Sequence, residues 1–165
     1  MQFDLPSENR LLASLVTDEA FANFANSRPS HDKRALLAGL SPQQLFAEIK
    51  DPDLANCCVS GLWLLHNFLN ESHEISQTID TVEGSWWHAI MHRLEGDYWN
   101  SKYWYRKVGV HPAFAEVADD WDPQHFVDRC ERERGEAPDT SGELHQLACA
   151  EWSGLFQYCW QHAGE

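Results

Sequence analysis

Apolar side chains recur at three- and four-residue intervals along most of this chain, and this spacing restricts its fold more than any other feature. The clearest example lies between residues 52 and 77. Its apolar stripe consists of Leu54, Cys58, Leu62, Leu65 and Leu69. This run is apolar on several sides, which predicts a central helix, with Gly61 permitting a close helix crossing. Because no segment shows the alternating pattern of a β-strand, we predict an all-α fold.

Prolines in first turns and glycines after last turns divide the rest of the sequence into further helices. We expect one or two short helices within residues 7–27, followed by longer helical segments. These cover about 41–50, 52–77, 83–108 with Gly96 as a candidate break, 122–134 and 141–162. No linker or internal repeat separates them. The prediction is a compact helical bundle of about six helices that forms a single domain over residues 1–165.

The charge of the chain disfavours several classes of partner. The formal net charge is −14, which would repel both a nucleic-acid backbone and an anionic membrane surface. No apolar segment approaches the roughly 18 residues that are needed to cross a bilayer. The first ten residues do not resemble a signal peptide, and five cysteines at irregular spacing favour free thiols. We therefore expect a soluble, cytoplasmic protein with no nucleic-acid or membrane partner.

Histidines at helical spacing form the first candidate site. His88 and His92 are four residues apart and Glu95 follows three residues later, so one helix would place all three on one face. Neutral imidazoles and a carboxylate suit a divalent transition metal such as zinc, iron or manganese. The preceding helix carries His66 and His73 on one stripe, and a short connection would pack the two helices antiparallel. We predict a metal site from His66, His88, His92 and Glu95, with His73 nearby.

A basic and aromatic stretch from Trp86 to His111 forms the second candidate site, although the chain as a whole is acidic. Arginine can hold a phosphate or a carboxylate through two hydrogen bonds, while Trp and Tyr rings can stack on a planar or sugar-like group. The candidate ligand-binding residues are Arg93, Asn100, Tyr103, Trp104 and Arg106.

Both candidate sites have a structural alternative. Histidines can border a core or bond to backbone and carboxylate groups, and such histidines are commoner than metal ligands. Aromatic side chains at helical spacing can simply fill a core. Arg106 lies near a predicted helix end, where a cation is favourable without any ligand.

The segment WWHAIMHRLEGDYWNSKYWYRKVGVHPAF starts with Trp-His, continues through Met-His-Arg, Glu and Asp, and ends with Tyr-Trp, Arg, Val-Gly and His-Pro. It resembles the central motif of an uncharacterised family found in bacteria and fungi, which has no settled activity. The segments LLHNFLNESHEISQ and EWSGLFQYCW are similar to helices of the same family. The resemblance implies a cluster of Trp87, His88, His92, Arg93, Glu95, Asp97, Asn100, Tyr103, Trp104, Arg106 and His111. Lys107 stands where the family pattern would have a second arginine.

Two classes of function fit these patterns. The first is a metal-dependent enzyme acting on a small anionic molecule, in which the ion polarises the substrate or activates water. Arg93 or Arg106 would orient the anion, and Asp97 or His111 would transfer a proton. The alternative is a non-catalytic module that binds a small anion or a sugar, or a subunit that recruits a protein partner.

Overall fold

A computed structural model of the protein describes residues 9–25, 28–133 and 142–164. Over these ranges the chain forms ten α-helices, two short 3-10 helices and no strand, which confirms the predicted all-α class. The α-helices are α1 (Arg10–Leu15), α2 (Asp18–Asn23), α3 (Arg34–Ala38), α4 (Pro42–Leu45), α5 (Pro52–Leu65), α6 (Leu69–Ser76), α7 (Val82–Glu95), α8 (Tyr98–Val108), α9 (Pro123–Glu133) and α10 (Glu143–Ala163). None of these helices has the length and apolar content needed to cross a bilayer.

The predicted number of about six helices is too low, because several predicted segments are shorter or divided. The segment expected to be helical over 41–50 contains only α4, which ends at Leu45. Beyond it Ile49 forms an antiparallel bridge with Gly164. The backbone N–H groups of Lys50 and Asp51 both donate to the carbonyl of Ala163, at 2.8 and 3.0 Å. These contacts with the end of α10 replace the hydrogen bonds that would continue the helix.

The predicted helix over 52–77 is two helices, α5 and α6, with a break at Asn67. Asn67 has a φ of 60°, a left-handed conformation that asparagine tolerates better than most residues. Its side chain accepts a hydrogen bond from the N–H of Ala25 at 3.1 Å and donates to the carbonyl of Asn23 at 2.9 Å. The break therefore anchors the N-terminal segment. It also means that His66 and His73 do not share one helical stripe.

The core lies where α5, α7 and α10 cross, and Gly61 permits their close approach as predicted. A Cβ atom at Gly61 would lie 2.7 Å from Cη2 of Trp87, so any side chain there would collide with the indole. On the other side, Nε1 of Trp152 donates to the carbonyl of Gly61 at 2.7 Å. Both indoles are fully buried. The three central helices are thus held at short range by large aromatic rings.

The turn between α7 and α8 fixes the orientation of the two helices that carry most candidate residues. Gly96 has a φ of 89°, which ends α7 in the left-handed conformation that glycine adopts without strain. Asp97 then caps α8 by accepting from the backbone N–H of Asn100 at 3.1 Å. The hydroxyl of Ser101 donates to the carbonyl of Ala89 at 2.8 Å, which ties α8 directly to α7.

Candidate metal centre

Three histidines from α6 and α7 come together at one place. The ring centroids of His88 and His92, one turn apart on α7, are 4.8 Å apart. The ring of His73 from α6 lies 4.6 Å from that of His88 and 5.6 Å from that of His92. One ring nitrogen from each of the three residues lies within 4.8 Å of the other two. Imidazoles from two neighbouring helices therefore lie together, as predicted, and His73 is the one that α6 contributes.

A tight connection between α6 and α7 brings these residues face to face. Thr81 caps α7 by accepting from the N–H of Gly84 at 3.1 Å. A Cβ atom at Gly84 would lie 2.4 Å from the carbonyl oxygen of Ile79, so only glycine allows the start of α7 to pack this closely. The short turn returns the chain in the opposite direction, which places His73 across from α7.

His92 is oriented by a carboxylate. Its Nδ1 lies 2.6 Å from Oε1 of Glu95, one turn further along α7. A carboxylate at this distance favours the tautomer with the proton on Nδ1, because the N–H can then donate to the oxygen. The lone pair of Nε2 is then available to another partner. Carboxylates commonly orient metal-binding histidines in this way.

His88 is held as a neutral imidazole. It is buried, and its ring stacks on the half-buried ring of Trp104 with centroids 4.1 Å apart and an angle of 18° between the planes. Burial lowers the pKa of His88 to about 3, helped by the charges of His92, His73 and Lys107. Its Nδ1 is buried and has no hydrogen-bond partner among the described residues. A neutral ring with an unpartnered nitrogen has the form that a metal ion requires.

The donor set fits a transition metal with a modest adjustment of the side chains. Three imidazoles and one free position describe a common type of catalytic zinc site. Bonds of about 2.0–2.1 Å to a tetrahedral ion would bring the nitrogens to about 3.4 Å from one another. The ring nitrogens lie within 4.8 Å of one another, so a small inward rotation of the rings is enough for them to share one ion. His73 is only half-buried and is the ring with most room to do so.

A second grouping, formed by His92, Glu95 and Asp97, also brings possible ligand atoms within 4.8 Å of one another. Both carboxylates are exposed, and each already has a role. Glu95 contacts the Nδ1 of His92, while Asp97 caps α8 and also accepts from the side-chain amide of Asn100 at 3.0 Å. We therefore favour the three histidines as the metal site, with Glu95 as an orienting residue.

His66, predicted as a ligand, lies apart from the three histidines. It follows the last residue of α5, and its Nε2 is 3.0 Å from the carbonyl oxygen of Leu15 in the N-terminal segment. Burial lowers its pKa. The reason is the break at Asn67, which turns α6 away from the direction of α5. Thus His73 on α6 lies beside His88 and His92, whereas His66 at the end of α5 does not.

Arg93, predicted as an anion-binding residue, is instead engaged in the core. It is buried and forms an ion pair with Glu151 of α10, which is also fully buried. Glu151 accepts two further hydrogen bonds, from Nε1 of Trp86 at 2.9 Å and from the hydroxyl of Tyr105. Burial alone would lower the pKa of Arg93, but Glu151 and its neighbours raise it above the ordinary value. Arg93 is therefore a permanently charged structural residue.

Glu151 is the residue that the sequence interpretation missed. It lies within the apolar stripe of α10, where the buried positions one turn away are Ala148, Gly154 and Leu155. A carboxylate at such a position needs a buried partner, and this is a signal that the sequence contained. The partner was not evident because Arg93 is 58 residues away along the chain.

His111 and Arg106 line a separate open cleft of about 990 Å³ between the end of α8 and the start of α9. The backbone N–H of Ala113 donates to Nδ1 of His111 at 3.1 Å, and Nε2 lies 3.3 Å from Oε1 of Glu83. The hydrogen bond with His111 lowers the pKa of Glu83. The ring of His111 packs on Trp86, which α7 directs away from His88. The structure thus does not bring His111 to the three histidines.

The remaining predicted residues lie on or next to α8. Trp104 forms one wall of the histidine cluster, whereas Tyr103 is exposed on the outer face. The side-chain amide of Asn100 donates a hydrogen bond to the carboxylate of Asp97.

Comparison with known proteins adds no assignment. The chain matches no family model, no curated protein and no solved structure. The resemblance to a bacterial and fungal family therefore stays a prediction.

Proposed function

We propose that His73, His88 and His92 bind one divalent transition metal ion, and that the protein is a metal-dependent enzyme acting on a small anionic molecule. The observation that carries this proposal is the gathering of three imidazoles with ring nitrogens within 4.8 Å of one another. Protonated imidazoles repel each other, and no hydrogen bond joins the three rings within the described residues. A metal ion would accept all three lone pairs at once.

The charge around the cluster supports an anionic substrate. Nζ of Lys107 lies 4.2 Å from the ring of Trp104, and its positive charge contributes to the low pKa of His88. With three protein ligands, a fourth position on the ion remains for water or substrate. Lys107 would favour a negative group at that position. Arg93 has no part in this proposal because Glu151 neutralises it within the core.

Proton transfer in this proposal is assigned to Asp97. An oxygen of its carboxylate lies within 4.8 Å of a ring nitrogen of His92, and the side chain is exposed to solvent. A carboxylate with these two properties can exchange protons between bulk water and a bound molecule.

The proposal also retains the expected cytoplasmic location, where five free thiols would stay reduced.

The test is metal analysis of protein that has been purified without an affinity tag and without chelators. We expect about one zinc, iron or manganese ion per chain by elemental analysis. Readdition of the ion to chelator-treated protein should stabilise the fold by about 2.7 kcal/mol at a free concentration of one hundred times Kd. His73→Ala should abolish this stabilisation, because it removes one of the three ligands while disturbing the core little.

His125→Ala is the matched control, because His125 is exposed on α9 and lies outside both ligand groupings. It should bind the metal as the unmodified protein does. A protein that contains no metal and gains no stability from any of the three ions would overturn the proposal. Equal loss of stabilisation in both variants would show non-specific binding by surface histidines and would overturn it too.

A further inference from the structure

The outer face of α8 exposes two aromatic rings. The side chain of Trp99 is 71% exposed and that of Tyr103 is 39% exposed. The two residues are one turn apart, and their rings are nearly parallel, with centroids 6.2 Å apart and an angle of 9° between the planes. Large exposed aromatic rings often mark a binding site, and the open face of such a stacked pair is a stacking surface for a planar ligand.

Two cations lie beside Tyr103, one ring of this aromatic pair. The guanidinium of Arg106 lies 5.9 Å from the ring of Tyr103, and Nζ of Lys107 lies 5.5 Å from the same ring. Neither cation forms an ion pair with a carboxylate among the described residues. The helix Tyr98–Val108 has no acidic residue, although the whole chain has a net charge of −14. These two cations make the face locally positive, although Arg106 also lines the cleft that contains Asp119, Asp120 and Asp122.

The aromatic face is continuous with the histidine cluster. Trp104 contacts Tyr103 edge to face, with centroids 5.6 Å apart, and its own ring stacks on His88. Lys107 lies near the rings of both Tyr103 and Trp104. A ligand that stacked on the outer rings would thus hold an attached anionic group close to Lys107, on the side of α8 that leads to the histidines.

We propose that the α8 face binds a nucleotide, with its base stacked on Trp99 and Tyr103 and its phosphate held by Arg106 and Lys107. The planar base stacks on the open face of this pair, and the phosphate is held by both cations. A small nucleotide is favoured over a nucleic-acid strand, because a strand would meet the acidic remainder of the surface. That the phosphate lies beside a metal ion rests on the proposed function, whereas the stacking of the base does not.

The experiment compares adenosine monophosphate, adenosine and inorganic phosphate as probes, using calorimetric titration of the full chain with and without zinc. We expect the monophosphate to bind at least about tenfold more tightly than either part alone, since each part contributes to one site. Trp99→Ala and Arg106→Ala should each weaken this binding about tenfold or more. Both side chains are exposed, so the fold should be retained. Arg10→Ala, which removes an exposed arginine from α1, should have no effect.

The outcomes separate this inference from the metal proposal. Nucleotide binding by chelator-treated protein, and by His73→Ala, supports the inference even if no metal is ever bound. Binding of inorganic phosphate as tightly as the monophosphate would overturn it, as would an affinity that Trp99→Ala leaves unchanged. A concentration-dependent dimer that Trp99→Ala dissociates would also overturn it, because the face would then be a contact between copies of the chain.

Discussion

The two sides of α7 contain buried polar groups of opposite character. Trp86 and Arg93, seven residues apart, lie on one side and meet the carboxylate of Glu151. His88 and His92 lie on the other side and meet a third imidazole, His73. On the first side donors meet an acceptor, and a positive charge meets a negative one. On the second side, groups of one kind meet one another.

This difference separates buried groups that stabilise the fold from buried groups that need a ligand to satisfy them. A complementary buried set satisfies itself, and its removal should cost stability. The three imidazoles form no hydrogen bond with one another among the described residues, and burial, followed by the charges of His92, His73 and Lys107, lowers the pKa of His88. The side of α7 with three imidazoles is therefore the side on which to look for a ligand. Three variants test this distinction.

The largest effect is expected from Glu151→Gln. This change leaves the guanidinium of Arg93 buried without its counter-charge, and loss of one partner of a buried ion pair typically costs about 3–5 kcal/mol. We expect a decrease of this size in the free energy of unfolding, measured by chemical denaturation. Metal binding by the folded fraction should be retained.

Two controls belong with Glu151→Gln. Glu143→Gln breaks the exposed ion pair with Arg129 and should hardly change stability. The double variant Arg93→Met with Glu151→Leu removes both charges and should recover part of the loss, because Nε1 of Trp86 and the hydroxyl of Tyr105 still lack their acceptor. If Glu151→Gln unfolds no more easily than Glu143→Gln, the Trp86 side of α7 does not stabilise the fold in the way described.

An intermediate effect is expected from Glu95→Ala on metal affinity. Loss of a carboxylate that orients a metal-binding histidine typically weakens binding about 10- to 100-fold. The free energy of unfolding of the metal-free protein should change little, because Glu95 is largely exposed. Competition with a chelator of known affinity measures the change. Glu74→Ala, which removes an exposed carboxylate from α6, is the control and should leave the affinity unaltered. Unaltered affinity in Glu95→Ala itself would remove the orienting role.

The smallest effect is a change in how stability depends on pH. Above about pH 6.5 His88 is neutral in both the folded and the unfolded chain. Below that pH the unfolded chain takes up a proton, while folded His88 resists protonation down to about pH 3, so stability falls with falling pH. His88→Gln should therefore lose about 0.5–1 kcal/mol less between pH 6.5 and 5.5 than the unmodified protein.

Denaturation of chelator-treated protein at several pH values measures this slope. His125→Gln, at an exposed position, serves as the control and should keep the slope of the unmodified protein. A His88→Gln variant with that same slope would mean that burial does not keep His88 neutral.

Much of the fold was predictable because helical spacing is a local property. The positions of α7, α8, α9 and α10 follow from periodicity, from prolines in first turns and from Gly96 at the end of α7. The segments at 41–50 and at 66–68 were predicted wrongly. In both, long-range contacts decide the backbone: Gly164 pairs with Ile49, and the N-terminal segment binds the side chain of Asn67.

Local sequence patterns predict the all-α class, the helical face shared by His88 and His92, and the basic charge of α8, because these depend only on neighbours along the chain. The residues that meet them depend on how distant helices pack. In the folded protein His73, and not His66, lies beside His88 and His92. Arg93 pairs with Glu151, and His111 lines a separate cleft. Periodicity fixes which side of a helix a residue occupies, but the partner on that side depends on the packing of helices distant in sequence.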